Sequence, residues 1–376
     1  MKFKIYIMED ALEAIIDYRG KTPQKSESGI PTLSAKTVKN NYIDYDNCYY
    51  ISQEEYDRFM VRGFPKKGDI LLTTEAPLGM VAKLDRDDIA IAQRLLTLRG
   101  KENILDNDYL LYFLQSTVGQ HLLKSHETGT TVTGIKQAVF RKLEISIPDI
   151  DNQRKISTIL SSLDSRITLN TAINENLEQQ AQAIYQSMFI STHHDTDRKG
   201  LLSELITVKY GKDHKKLDDG IYPVYGSGGI MRYVEKPIYE KESVLIPRKG
   251  SLNNVMYVDE PFWSVDTMFY TEMKMPNVAK FVFHFVRSKD LASLNAGSAV
   301  PSMTTDILNS MEVRIPSAER LAEFEELVAP LYRAIKDNIR QSATLATLRD
   351  TLLPKLMNGE IDVSQVRIYA AKFSFK

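Results

Sequence analysis

Apolar positions in this chain follow two periods, and the switch between them divides it. Short apolar or alternating runs (ISQEEY, GDILLT, MVAKL, AQRLLTLRG, SVLIP, VMYV and TMFYTEM) are bounded by Gly, Pro and charge and predict strands. Among them, DYLLYFLQSTVGQHLLK and VAKFVFHFVRSKDLASL carry the helical period. A longer helical pattern follows each strand-rich region, just after Pro148 and again just after Pro316. In the first, a 4-3-4 spacing picks out Ile156, Leu160, Leu163, Ile167, Asn170, Asn174, Leu177, Ala181, Ile184 and Met188, predicting a helix from about Asp151 to Phe189. In the second, the same frame picks out Phe324, Val328, Leu331, Ile335, Asn338, Ser342, Leu345, Arg349, Leu352 and Leu356. Such stripes predict two helices packed along a coiled-coil seam, with Asn170 and Asn338 as polar residues that fix register or leave a solvated gap. Pro330 is expected to interrupt and kink the second helix, and Gly359 to stop it.

The two halves are diverged copies. TGTTVTGIKQAVFRKLEISIP, Thr128 to Pro148, aligns without gaps on AGSAVPSMTTDILNSMEVRIP, Ala296 to Pro316, at an offset of 168 residues. That offset is a whole number of heptads, so the helical frame is shared. GDILLTTEAPLGMVAKLD, Gly68 to Asp85, parallels ESVLIPRKGSLNNVMYVD, Glu242 to Asp259. Gly20-Lys21 and Gly29-Ile30 parallel Gly211-Lys212 and Gly220-Ile221. The pattern predicts an α+β protein: two strand-rich α/β modules in tandem pseudo-repeat, each followed by a long helix, with the two helices packed as an antiparallel coiled coil. The segments are 1–149, 150–190, 191–317 with a linker at 191–200, 318–360, and a tail at 361–376. A helix of about 38 residues is about 57 Å long. Antiparallel helices of that length would hold two modules apart as a ruler for two half-sites on DNA.

Composition narrows the class. Hydrophobic residues make up 43% of the 376, enough for real cores. One cysteine, Cys48, can form neither an internal disulfide nor a zinc cluster, so a reducing compartment is expected. The opening MKFKIYIMEDALEAI is not a signal peptide, and no run is long enough to span a membrane, so a cytoplasmic protein is expected. Net charge is −1, which argues against DNA binding through bulk electrostatics alone.

Motifs of catalysis are missing. Gly20-Lys21-Thr22 lacks the earlier glycine of a phosphate loop, and there is no HExxH, CxxC or Asn-Pro-Pro-aromatic motif. His193-His194-Asp195, in a polar stretch, fits solvated side chains better than a metal site, and no metal is expected. Gly226-Ser227-Gly228-Gly229 fails the dinucleotide pattern at Met231 and reads as a tight loop, flanked by Tyr225 and Arg232.

Candidates for DNA contact are basic and amide residues on loops, because these pair with base edges and phosphates. Lys21, Lys25, Ser34, Lys36 and Lys39 cluster near the start, and Gln93-Arg94 interrupts an apolar strand where the second copy has Asp266-Thr267. In the second copy Lys212, His214, Lys215 and Lys216 form a basic run; Ser227 joins Tyr225 and Arg232. Arg248, Lys249, Ser251, Asn253 and Asn254 crowd one loop, the strongest set. Any one of these residues alone is an ordinary solvated side chain.

LRDTLLPKLMNGEIDVSQV, Leu348 to Val366, resembles the C-terminal signature of type I restriction–modification specificity subunits. LEAIIDYRGKTPQKSESGIPTLSAKTV, Leu12 to Val38, resembles the opening of their target-recognition domains. KKGDILLTTEAPLGMVAKL and the strand-Pro-helix junctions match as well, so the resemblance covers nearly the whole chain. It implies a non-catalytic subunit in which each recognition domain reads half of a split, asymmetric double-stranded DNA target. It further implies that the helices set the gap and bind two methyltransferase subunits. S-adenosylmethionine, ATP and Mg would belong to partner subunits, the last two to restriction or motor subunits. Two rivals remain. A coiled-coil adaptor that binds no DNA would need no large heads. The recognition half of a restriction–methylation enzyme would need its catalytic part elsewhere.

Overall fold

The computed structural model describes residues 1–129, 133–191, 197–294 and 302–367. The chain forms two compact units, one of Met1–Asn170 with Arg340–Lys376 and the other of Thr171–Ile339.

The first unit is built on a four-stranded antiparallel sheet in the order Leu12–Asp17, Leu95–Gly100, Ile70–Thr73, Val81–Lys83. The strand ILLT is buried at every position. Successive side chains point to opposite faces, so both faces must be covered. Ile70 and Leu72, with Leu96 and Leu98, enter one core. Leu71 and Leu95, with Ile16 and Tyr18, enter a second core on the other face. The second core is closed by a small sheet of Tyr49–Ile51, Ile30–Leu33 and Ala90–Ile91. The first is closed by helices Asn107–Gln115 and Thr117–Ser125, and also by pieces of both long helices, Ile156 and Leu160 from one and Leu356 and Met357 from the other.

The second unit repeats the plan with Ile206–Tyr210, Met268–Met273, Ser243–Pro247 and Met256–Val258 in the same order. SVLIP is again buried throughout. Val244, Ile246 and Phe269 enter one core, and Leu245 and Met268 the other. Helix Ala279–Arg287 covers the first core together with Ala181, Tyr185 and Phe189 of one long helix and Leu321, Phe324 and Val328 of the other. A small sheet of Gly229–Val234, Asp219–Gly226 and Trp263–Ser264 closes the second.

The long helices are Ile150–Tyr185, whose last residues Gln186–Ser191 widen into a π-helical turn, and Ala318–Met357. Their starts follow from the residue after each proline. Asp149 caps the first by accepting from the Asn152 amide at 3.0 Å, and Ser317 caps the second by accepting from the Arg320 amide at 3.4 Å. Gly359, at φ +78, ends the second helix, where the Ile361 amide returns to the Lys355 carbonyl at 3.0 Å. Inside each unit the helix segments run antiparallel. In the first, Asp164 meets Arg349 at 2.7 Å and Asn170 donates to Gln341 and Ser342 at 2.9 and 3.1 Å. In the second, Asn338 donates to Asn174 at 2.8 Å. Ser342 is the repeat counterpart of Asn174, and Asn338 that of Asn170. The polar seam positions therefore pair with each other's copies, as a self-complementary interface does.

Several expectations change. ISQEEY is not one strand: Ser52 accepts from the Glu55 amide at 3.1 Å and caps a helix, Gln53–Phe59. The helical run after Asp106 breaks at Ser116, whose hydroxyl accepts from the Gly119 amide and starts a new helix. The end of the expected linker, from Arg198, belongs to a strand, Arg198–Leu201, paired with Glu312–Ile315, matching Phe3–Ile7 with Glu144–Pro148 in the first unit. The second long helix continues through Pro330, carried by flanking Val328 and Leu331, which pack on the core. The expected tail is partly core, since Val363 is buried and Ile361 packs beside it. Among the described residues, no helix is long and apolar enough to cross a membrane.

Candidate nucleic-acid interface

In the first unit the fold gathers candidates that lie far apart in sequence. Ser34, Lys36, Gln93 and Arg94 line one cavity of about 510 Å³ together with Thr22, Lys25, Asn47 and Tyr49. A neighbouring cavity of about 650 Å³ shares Lys36 and Asn47 and adds Lys39 and Asp44. Lys36 and Arg94 are exposed, while Ser34 and Gln93 are half-buried. Lys21 is exposed beside this group but lines neither cavity. The Lys25 ammonium sits 4.7 Å from the Tyr49 ring centre, and burial raises the Tyr49 pKa. The Gln93 amide donates to the Thr22 hydroxyl. Arg94 holds a left-handed backbone, φ +67, and its Nε lies 2.8 Å from the Glu75 carboxylate, which Arg19 approaches at 3.8 Å. Periodicity pointed to Gln93 and Arg94 because they break an apolar strand. It carried no sign of Thr22, Asn47 or Tyr49, which the folding of distant loops brings in.

In the second unit Gly226 to Gly229 is the turn of a hairpin between Asp219–Gly226 and Gly229–Val234. The Asn254 amide donates to the Ser227 carbonyl at 2.8 Å, and Gly250 lies so near that an added Cβ would sit 2.6 Å from the Ser227 hydroxyl. The hairpin turn and the Arg248–Asn254 loop thus form one surface. Arg248 lies over the Tyr210 ring at 5.3 Å and donates to the Asp266 carbonyl at 3.2 Å. Lys249 is exposed. Lys212 and Lys215 are exposed in the stretch after Tyr210, where the Trp263 indole donates to the Lys212 carbonyl at 2.9 Å and the Lys215 amide to Asp213 at 3.1 Å.

Three further candidates also make contacts within the fold. Arg232 donates to the Leu217 carbonyl at 2.9 Å and to Asp219 at 2.8 Å, holding the hairpin base. Asn253 donates to Asp290 at 3.0 Å and accepts from the Ala292 amide at 3.0 Å, which fixes its loop to the segment after the helix. The Tyr225 ring packs edge-on against Phe262, and burial raises its pKa. Tyr210, which directly precedes Gly211-Lys212, was missed, although an exposed aromatic next to a basic run is a recognisable signal.

The seam residues differ in burial. Leu160 and Val328 are fully buried in their cores, whereas Leu163, Ile167, Leu177, Leu331, Ile335 and Leu345 are half-buried. Asn170 is 1% exposed and Asn338 half-buried, so polar seam positions are covered as well as apolar ones. His193, His194 and Asp195 lie outside the described residues. Among the described residues, no group of three or more His, Cys, Asp or Glu could hold a metal ion.

Two modules on one plan, each presenting loops of basic and amide residues, define a tandem recognition protein. Residues 12–179 and 201–342 match the family model of the type I restriction modification DNA specificity domain, and the chain belongs to that family. It is 24% identical to the MjaIX specificity subunit of Methanocaldococcus jannaschii, over 90% of this chain and 88% of that protein. It is 22% identical to the HindI specificity subunit of Haemophilus influenzae, over 79% and 87%. The fold is similar to the solved S subunit of a type I restriction–modification system from M. genitalium, with TM-score 0.61 and 18% identity over 95% and 96% of the two chains.

Proposed function

We propose that this chain is the sequence-reading subunit of a type I restriction–modification enzyme, with one recognition module per unit, each reading one half of a split, asymmetric DNA target. The observation that carries this reading is the repetition of one sheet plan, order for order, with different side chains on the exposed loops. A repeated framework with unlike loops suits two unlike half-sites, because loops on a rigid scaffold carry specificity. The long helices fix the gap between half-sites and offer two equivalent docking surfaces, which suits two methyltransferase subunits. Chemistry belongs to those partners. They would bring S-adenosylmethionine, and separate restriction subunits would bring ATP and Mg. The chain itself is a non-catalytic reader.

Co-expression with a methyltransferase subunit of the same system, followed by genome-wide mapping of methylated positions, tests the reading. A single split motif with a fixed gap is the expected result. A folded chain that neither assembles with the methyltransferase nor directs methylation would overturn it.

A further inference from the structure

The two units build one junction in the same way. In the first, the Thr74 amide donates to the Arg94 carbonyl at 3.0 Å, the Ile135 amide donates to the Thr74 carbonyl at 2.9 Å, and Glu75 bridges Gly134. In the second, the Arg248 amide donates to the Thr267 carbonyl at 2.9 Å, the Met303 amide donates to the Arg248 carbonyl at 2.9 Å, and Lys249 bridges Ser302. Thr74 therefore corresponds to Arg248, Glu75 to Lys249, and Arg94 to Thr267. The backbone ties are the same, three for three. The side chains they carry are not.

In the first unit the junction presents a guanidinium, an amide and a carboxylate. Arg94 occupies a left-handed backbone, where glycine or asparagine is the unstrained choice. Its guanidinium is gripped by Glu75 and remains half exposed, with 50% of the side chain open to solvent. Such a conformation persists at a non-glycine residue when the surrounding contacts over-determine it, as the Thr74 amide bond to its carbonyl and the Glu75 ion pair do here. Gln93 beside it lines the cavity that also holds Ser34 and Lys36. In the second unit the carboxylate is replaced by Lys249, and the place of Arg94 by Thr267. The guanidinium instead comes from the strand end, as Arg248, braced on the Tyr210 ring and the Asp266 carbonyl. Guanidinium groups fit guanine edges and amides fit adenine edges, each with two parallel hydrogen bonds.

We infer that this junction is the base-reading locus of each module: Gln93 and Arg94 read base edges in the first unit, and Arg248 and Lys249 do so in the second. Glu75 is a positioning residue that aims Arg94. The inference rests on the proposed function and assigns the residues that would set its two half-sites. A shared backbone junction gives both modules the same approach to the groove. Moving the guanidinium from one strand end to another, and exchanging Glu75 for Lys249, makes the two halves of the target unlike.

The test uses the chain assembled with its methyltransferase subunit, reading methylated sites and their rates on DNA libraries randomised at each position of the target. Variants are Gln93→Ala, Arg94→Asn (which keeps the left-handed backbone), Glu75→Gln, and Arg248→Ala with Lys249→Ala. Thermal melting of each variant beside the parent gives the fold control. The expected result is a 10- to 100-fold loss of base preference, on the order of what one bidentate contact supplies. That loss falls at one or two positions of a single half-site, while the other half keeps full stringency. Gln93, Arg94 and Glu75 variants relax one half, Glu75→Gln at the same position as Arg94→Asn. The Arg248 and Lys249 variant relaxes the other. Two half-sites kept at parental stringency in an active enzyme would overturn the inference, and so would both halves relaxing together. A parent that methylates no split motif is a different result, which sinks the proposed function and this inference with it.

Discussion

The sixth residue of each module's nine-residue helix, Tyr112 in Asn107–Gln115 and His284 in Ala279–Arg287, ties that helix to a long helix, but with opposite chemistry. In the first unit the Tyr112 hydroxyl donates to Asp164 at 2.7 Å, and Arg349 holds the other carboxylate oxygen at 2.7 Å. In the second unit His284 lies 1% exposed among Tyr185, Phe324 and Tyr332. Its ring nitrogens meet the Gln182 amide oxygen at 2.7 Å and the Tyr332 hydroxyl at 3.0 Å. Tyr332 is the repeat counterpart of Asp164. One framework position is thus held by a charged triad in one copy and by a neutral network inside an aromatic cluster in the other. The sheet and helix plan dictates that a tie is made there, and the neighbours decide whether charge can be used.

The largest expected asymmetry concerns the start of the second long helix. The buried Arg320 guanidinium pairs with buried Asp197 and also donates to the Met188 carbonyl. The repeat counterpart of Arg320 is Asn152, an uncharged side chain whose amide donates to the Asp149 carboxylate at 2.7 Å, so no buried cation has to be balanced there. Asp197→Ala leaves a buried cation unpaired and is expected to cost about 3–5 kcal/mol. Native-state hydrogen exchange should show lost protection in the second unit and little change in the first. Equal loss in both units would break the comparison.

The next effect is on pH. Burial, with a smaller contribution from Arg287, pulls the His284 pKa down from 6.5 to about 4. Between those values the unfolded chain binds a proton that the folded unit refuses, so stability falls as pH drops through that window and levels off below it. The span corresponds to about 3 kcal/mol, at about 1.4 kcal/mol per pH unit. Melting curves from pH 7 to pH 4 should show the second unit weakening, with the slope flattened in His284→Gln. A slope unchanged by that substitution would place the acid sensitivity elsewhere.

The smallest effect is on the ionic tie. Asp164→Asn removes the charge facing Arg349 and weakens the bond from Tyr112, for an expected cost of about 1–2 kcal/mol in the first unit alone. Raising salt should weaken the parent's first unit slightly more than the variant's, because the partly exposed Asp164–Arg349 pair is screened. A salt response kept in full by the variant would remove Asp164–Arg349 as its source.

Much of this architecture was legible in the sequence because it rests on periodicity. The seam residues, the strand-Pro-cap junctions and the buried strands ILLT and SVLIP announce themselves by spacing and by turn residues. Periodicity reports which face is apolar and not what that face meets. For that reason Leu356 and Ile156 read as seam residues when they are also core residues of the first module. Ser52 looked like part of a strand because the capping bond it makes depends on backbone direction. At the candidate interface, Gln93-Arg94 and its counterpart Asp266-Thr267 stood out as polar interruptions of an apolar strand. Residue type does not reveal that Arg232 and Asn253 hydrogen-bond Asp219 and Asp290, which only the folded loops bring within reach.

The division of the chain into units bears on how it is made. The second unit is one continuous stretch, Thr171–Ile339, whereas the first needs both Met1–Asn170 and Arg340–Lys376. Synthesis proceeds from the N-terminus, at ~5–20 residues per second, and domains fold as their segments emerge. The unit encoded later therefore completes its core earlier. The first module's core stays incomplete until Leu356, Met357 and Val363 have been synthesised. A transcript cut short near codon 340 would yield a finished second unit tethered to an open first one, a natural substrate for quality-control proteases.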